Sequence, residues 1–375
     1  MTSFNEMDML PVTEVLGMSQ KDDKNKADAY CKMGEIQFMA QDVRPHSVKD
    51  NDKEEGEIQT ELHAQISVPM KNLANVGSIA KRSIEDGKRI RLNFSMPSFK
   101  QWSRSHLGIP AEYLMKCPAA LAKENVNFWK AAMADKDLLI RIRSGGTTKV
   151  PYARAILAAT YGRLDNTPFL GMINRIANEA DMKVWRYDMP DTSLHVKCVL
   201  PEHMNMGTKG NPDNVHIGFH AANSETGGRS ISVDIMTFRL VCTNGMIALV
   251  DGNRLVSQRH VGELDYIKLE QSMREGIHKT CSTKDSILGR MKGLKDQRPS
   301  DVFEEARAIW SRFNLPAAHR NMTLGLLQET YTEGTRFDIV NAITQTAREV
   351  VDNPDVRMKL EEGAGKYMDM EKAIL

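Results

Sequence analysis

From Leu194 to Ile235 the chain alternates apolar and polar residues with a period of two, and this stretch restricts the possible folds more than any other. Leu194, Val196, Cys198 and Leu200 alternate with His195 and Lys197; Val215, Ile217 and Phe219 with His216 and His220; Ile231, Val233 and Ile235 with Ser232 and Asp234. Side chains along a strand point to opposite faces in turn, so each segment buries one face and presents the other. Three such strands in succession describe an antiparallel sheet with one face covered. Ala222 to Ser230 has turn chemistry and joins the second and third strands as a hairpin. The apolar positions then move from odd to even at Phe238, Leu240 and Cys242, which asks for a bulge or turn near Met236, and Asn244-Gly245 reads as a further turn.

Helical patterns flank this sheet. Before it, Phe99 to Leu107 and Ile109 to Leu114 read as two helices joined at Gly108, a residue suited to the left-handed position that ends a helix, with Pro110 suited to the first turn of the next. A DNA-reading helix-turn-helix has this outline. So does an ordinary helical hairpin with Phe99, Trp102, Leu107 and Leu114 in the core, which is preferred because the outline is common. Leu138 to Arg143 reads as a strand, Ala155 to Ala159 as a short helix, and about Thr167 to Ala180 as a longer one. After Glu263, apolar spacing predicts helices in 266–291, 302–313 and 337–351, punctuated by Pro299, Pro316 and Pro354. Near the start, Ile66, Val68 and Met70 alternate like a strand, and Leu73, Val76, Ile79 and Ile84 recur at helical spacing. There is no internal repeat and no low-complexity tract.

Charge is unevenly distributed. Residues 1–60 hold 7 Lys and Arg against 13 Asp and Glu, a net of −6, so a chain of overall charge +1 carries +7 beyond them. With its charged runs at Lys21 to Lys26 and Lys49 to Glu57, this segment reads as an acidic, largely flexible arm. The expected fold is α+β: arm 1–60, an α+β core 61–262 with a helical hairpin before the sheet, and a helical C-terminal region 263–375. Hydrophobic residues at 41% and charged residues at 26% fit a globular chain rather than a disordered one. No apolar run approaches the ~18 residues that span a bilayer, and the first ten residues carry Glu6 and Asp8 rather than a basic leader. A cytoplasmic protein with no membrane partner is expected. The five cysteines, Cys31, Cys117, Cys198, Cys242 and Cys281, are odd in number and widely spaced, which argues against a disulfide framework or a close-spaced zinc motif.

Several stretches resemble, in order, a phage- and plasmid-borne family of unknown function (domain of unknown function 932). They are Leu107 to Leu114 with Cys117-Pro118 and Glu124-Asn125; then Arg154-Ala155, Leu157, Tyr161 and Arg163 to Asn166. Next come Asn223-Ser224, Gly227, Arg229 and Phe238 to Asn244; then Arg259 to Gly262, Gly334-Thr335 and Asn341 to Thr344. The resemblance spans roughly 107–344 and implies a mobile genetic element, most plausibly a phage genome expressed in a host cytoplasm. It implies no activity.

Candidate chemistry is sparse. His216 and His220 would share a strand face, with His203 nearby, and three such groups suit a metal; solvation or a hydrogen bond is the commoner role of such histidines. Gly227-Gly228-Arg229-Ser230 precedes a strand rather than a helix, so a hairpin loop fits better than a phosphate cradle. No Walker, dinucleotide or nucleophile-elbow pattern occurs, and no cofactor is implied. Basic residues are the stronger signal. Lys81, Arg82, Lys88, Arg89, Arg91, Lys100 and Arg104 form one region with Phe99 and Trp102 interleaved; Arg141, Arg143, Lys149, Arg154 and Arg163 form a second. Lys197, Arg229 and Arg239, with His195, His216 and His220, would add a third strip on the open sheet face.

Gathered into one positive track, these residues would hold or anneal single-stranded DNA without catalysis, as an accessory factor of phage replication or recombination, a role compatible with a homo-oligomer. Two alternatives stand beside that reading. One is an interaction or anti-defence module that contacts host or phage replication proteins through the acidic arm. The other is a metal-dependent enzyme using His216 and His220.

Overall fold

A computed structural model describes residues 10–43, 61–74, 84–85, 88–144, 150–205, 214–239, 244–248, 255–331, 333–350 and 353–370. In chain order these form α1 (Val12–Asp23), β1 (Lys26–Lys32), β2 (Gln37–Val43), β3 (Glu61–Pro69), β4 (Leu73–Ala74), β5 (Ile84–Glu85) and β6 (Arg89–Phe94). Then come α2 (Met96–Gln101), a π-helical turn (Trp102–His106), α3 (Ala111–Lys116), α4 (Ala119–Ala132), β7 (Asp137–Arg143), β8 (Tyr152–Ala158) and α5 (Asn166–Glu179). The second sheet follows: β9 (Lys183–Asp188), β10 (Leu194–Asn205), β11 (Asn214–Asn223), β12 (Ile231–Arg239), β13 (Asn244–Ala248) and β14 (Val256–Gln258). The chain ends in α6 (Tyr266–Asp296), α7 (Val302–Arg312), α8 (Arg320–Glu329), α9 (Arg336–Glu349) and α10 (Pro354–Met368). None of the described helices is long and apolar enough to cross a membrane.

The α+β class is found, built on two sheets. The first has the order β2-β3-β6-β8-β7-β1-β4, with β5 on β6; its pairs are antiparallel except β6 with β8. Ile66, Ile90, Leu92, Ile140 and Ile142 on one face bury Trp102, Leu107 and Leu114 of the helical segment before β7. Trp102 sits between Phe38 and Phe94, ring centroids 5.4 and 5.3 Å away. Gly108 takes φ +72°, the left-handed value expected of it. The apolar side of the helical pair is therefore part of the core, as the hairpin reading expects.

The second sheet, β13-β12-β11-β10-β9 with β14 on β12, is wholly antiparallel. On one face, Leu194, Val196 and Cys198 pack with Phe219, Ile231 and Val233 against Phe169 and Ile173 of α5 and Met273 and Ile277 of α6. The far end of α6 continues over Val215, Ile217 and Ile235 into a core shared with Trp310, Ile339, Ile343, Leu360 and Tyr367. These helices start at side-chain caps: Asp265 accepts from Lys268 N, Asp301 from Phe303 N and Glu304 N, and Thr335 and Asp338 form a capping box.

The structure corrects several expectations. Residues 10–43 are not part of a flexible arm: β1 lies inside the first sheet between β7 and β4, and Ala29 and Met33 are fully buried. Residues 1–9 and 44–60 lie outside the described residues. Residues 155–159 belong mainly to strand β8, not a helix, because Ala153 and Ile156 face the core while Leu139, Ala155 and Leu157 form a second small cluster. Leu73 and Ile84 lie in β4 and β5 rather than a helix; Val76 and Ile79 are outside the described residues. No bulge interrupts β12 near Met236, since its register with β11 runs unbroken from Arg239 to Ser232. Asn244 and Gly245 pair with Arg239 and Phe238 in β13 instead of turning. The irregularities fall in β10, between Lys197 and Cys198 and between Val199 and His203.

One glycine is dictated by that irregularity. A Cβ on Gly218 would lie 1.9 Å from the Cys198 carbonyl oxygen, with backbone rather than a movable side chain in the way. Gly218→Ala is expected to lower stability by about 1–3 kcal/mol. Gly17→Ala, in α1 with nothing within 4 Å of the added carbon, should raise it by about 0.5–1 kcal/mol. Urea unfolding of the two variants checks both signs.

Candidate functional site

The two sheets meet through charge. The face of the first sheet opposite its apolar core carries Lys26 and Asp28 on β1 and Arg141 and Arg143 on β7, and the register sets Lys26 against Arg143 and Asp28 against Arg141. Two cations directly opposite repel. Asp22, at the end of α1, relieves them: it lies 2.9 Å from Lys26 Nζ and also pairs with Arg143. Arg143 continues to Asp191 at 2.8 Å, Asp191 to Arg154 at 2.8 Å, Arg154 to Glu225 at 2.8 Å, and Glu225 back to Lys26 at 2.9 Å. Six groups of alternating sign thus close a ring.

A smaller circuit adjoins it. Asp28 pairs with Arg141 at 2.9 Å and Arg163 at 3.0 Å, and Asp165 pairs with the same two arginines at 2.6 and 3.1 Å. Arg141 also donates to the Glu225 carbonyl, joining the two circuits.

Glu225 sits in the β11–β12 hairpin, whose loop is shaped for insertion. Gly227 has φ +77°, Ser224 Oγ accepts from Thr226 N and Gly228 N, and Ser224 and Thr226 both donate to the Thr192 carbonyl. Glu225 Oε1 also accepts from Asn166 N at the start of α5, 2.8 Å away. With its side chain 1% exposed, burial would push this carboxyl up, but Arg154, Lys26 and Arg141 hold it at about 2. Arg141 is treated alike: burial would lower it, and Asp165, Asp28 and Glu225 more than offset that, keeping it charged.

The polar face of the second sheet is also enclosed. The expectation of an open face is corrected, because α10 lies over it: Glu361 pairs with Lys197 at 2.5 Å, Arg357 with Asp188 at 2.6 Å, and Asp355 with Arg229 and His195 at 3.4 Å. Beneath α10, Arg186, Lys197, His220 and Asp234 form one cross-strand row. His195 Nδ1 lies 3.2 Å from His220 Nε2 and the rings stack. Burial lowers the Lys197 ammonium, Glu361 countering only in part.

Few of the candidate nucleic-acid contacts stand at the surface. Arg141, Arg143, Arg154 and Arg163 are tied into the circuits; Lys197 and Arg229 are paired under α10; Trp102 is core. Arg89 is engaged by Ser67 and the Glu35 carbonyl, and Arg91 is half-buried. Lys88 is exposed, while Lys100 and Arg104 share Glu112. Lys81, Arg82 and Lys149 lie outside the described residues, as does the side chain of Arg239, whose backbone pairs with Val215. Among the described candidate side chains, Lys88, Lys100 and Arg104 are the exposed ones. His216 bonds the Leu200 carbonyl and His220 bonds His195, so the two histidines are not drawn to one point. Among the described residues no group of three or more His, Cys, Asp or Glu is placed to hold a metal.

A feature that the basic pattern did not point to lies on α3 and α4. Ala122 and Val126 turn inward, which leaves Leu121 and Phe128 on the outer side, with Asn125 and Trp129 at the edge of the buried stripe. Phe128 is 70% exposed and Trp129 43%, their rings edge to face at 5.5 Å. Tyr113 joins them through a bond from Asn125. Phe128 was the available signal, since at about 100° per residue it stands roughly 120–160° around the helix from Ala122 and Val126.

Comparison with protein-family models, curated proteins and solved structures gave no match.

Removing one member of a closed ring leaves its partners charged and buried. Glu225→Gln is expected to cost about 3–5 kcal/mol. The Glu225 carboxyl has a folded pKa of about 2 against an ordinary 4.5, so its contribution is full above pH 4.5 and lost as pH falls through 2. Denaturant titrations between those limits should show a shallower pH dependence in the variant than in the wild type.

Proposed function

We propose that the chain is an accessory binding protein of a mobile genetic element that works by contact, and that the outer side of α3 and α4 is its contact surface for a protein partner. The observation that carries this is Phe128, 70% exposed beside Trp129 on an otherwise folded helix. Exposed aromatic clusters of this kind supply the buried centres of protein interfaces, where Trp, Tyr and Phe are enriched. Both signs of charge stand exposed on these helices, Lys116 and Lys123 with Glu112 and Glu124. That suits a polar rim better than a phosphate-binding track.

Single-stranded DNA is the second reading, and exposed rings on helices that also carry the exposed Lys116 and Lys123 favour it, since bases stack on aromatic faces. Salt separates the two.

The test compares wild type with Phe128→Ala and Trp129→Ala in binding to phage replication and host proteins after nuclease treatment. A saturable partner whose affinity drops at least tenfold in both variants, with unchanged melting temperature, is the expected result. Binding to a single-stranded oligonucleotide that falls steeply with salt and is lost in Lys116→Glu/Lys123→Glu would decide for the second reading. Binding of either kind that both aromatic variants leave intact would refute the assignment of this surface.

A further inference from the structure

The second sheet ends on one side in β13 and β14, which pair with successive parts of β12: β13 with Ile235 to Arg239 and β14 with Ile231 to Val233. The other side of β12 belongs to β11. β14 is therefore an outermost strand, and among the described residues no strand pairs with its far edge. Alternate residues of such an edge turn their N–H and C=O groups outward, where they can template a further strand.

A groove of about 390 Å³ follows that edge, and Leu255, Val256, Ser257 and Gln258 all line it. Side chains of an extended strand alternate between its two faces, so a groove that touches consecutive residues runs along the main chain rather than over one face. The opposite wall is the start of α6, where Lys268, Leu269 and Ser272 fall on one side of the helix. One turn on, Gly276 lets Leu255 close the end of the groove: a Cβ on that glycine would stand 3.0 Å from Leu255 Cβ.

The shape and chemistry of the groove select its occupant. Four residues of extended chain cover roughly 13 Å, so a short extended segment fits alongside β14. The floor is apolar, with Val256 and Leu269 buried and Leu264 half-buried, and every second residue of an added strand would face it. Two carboxylates, Glu263 and Asp265, line the groove against the one ammonium of Lys268. Asp265 is engaged as the cap of α6 through Lys268 N. Glu263 is exposed and has no hydrogen-bond or ion-pair partner among the described residues, so the groove favours a cationic ligand.

We propose that this edge takes up an extended peptide segment of a protein partner as an added strand, apolar at alternate positions and carrying lysine or arginine. β14 supplies the main-chain hydrogen bonds, the floor of Val256, Leu264 and Leu269 receives an apolar side chain, and Glu263 draws the basic one. Strand addition of this kind takes its affinity from the main chain and its specificity from alternate side chains. The groove shares no residue with the α3–α4 surface and does not depend on the reading of that surface.

The experiment titrates the full chain, up to about 1 mM so that near-millimolar affinities register, into fluorescein-labelled capped pentapeptides in which lysine alternates with valine, leucine or phenylalanine. Saturable binding of at least one lysine peptide is expected by fluorescence polarisation. Affinity should fall by about fivefold or more when glutamate replaces lysine, and likewise when the amide nitrogens are methylated. Ser272→Phe, which fills the groove, and Glu263→Lys, which reverses its free charge, should each weaken the lysine peptide to the same degree at unchanged melting temperature. Glu263 is exposed, so its variant carries the test if Ser272→Phe does not fold. No saturable binding by any lysine peptide overturns the proposal. So does equal binding of the glutamate or methylated peptides, or an affinity that the folded variants leave unchanged.

Discussion

The docking of the two sheets depends on the insertion of one carboxylate, Glu225, between Lys26 and Arg154. Each sheet has an apolar core of its own, but the layer between them is ionic. Such a layer is tolerated only when complete, because each charge has lost its water and has only its neighbours in exchange. This explains why the β11–β12 loop is held so rigidly by Ser224, Thr226 and Gly227, and why Asp22 stands at the end of α1, where it separates two opposed cations. Hydrophobic packing could hold two sheets together in many registers. A closed ring of alternating sign accepts one.

The same principle governs the second sheet. Its polar face is not solvent-exposed but lies under α10, with Asp355, Arg357 and Glu361 meeting Arg229, Asp188 and Lys197. Polar alternation along a strand marks a face that differs from the apolar one. It does not distinguish water from a charged helix as the neighbour, and here the neighbour is the helix.

This sets how far the sequence could be read. The period-two strands of the second sheet, the core role of Phe99, Trp102, Leu107 and Leu114, the turn at Gly108 and the long C-terminal helices were all legible, since each is a local pattern. Of the first sheet, β3 around Ile66 and Val68 and β7 at Leu138 to Arg143 were legible as strands; their assembly was not, because β1 pairs with β7 across more than a hundred residues and its segment looks polar by composition. Arginines 141, 143 and 154 were visible as charges within apolar strands. Their partners were not, since Asp28 is 113 residues from Arg141 and Glu225 is 71 from Arg154. A guanidinium in an apolar strand announces that a carboxylate must arrive, without saying from where. The exposed Phe128 of α4 was overlooked for the opposite reason: a helix with Ala122 and Val126 inward needs no ring there, and only its angular position reveals the surplus.

The ring also has a consequence in time. Lys26 and Glu225 are 199 residues apart, and ribosomes add roughly 5–20 residues per second. The N-terminal partners therefore wait on the order of 10–40 s for the last member of their circuit to be synthesised. Through that interval the nascent chain holds a layer of unmatched cations and carboxylates that only water can satisfy. Sheet docking thus waits for Glu225, with 150 of the 375 residues still to be added, and until then the first sheet stands without its lock.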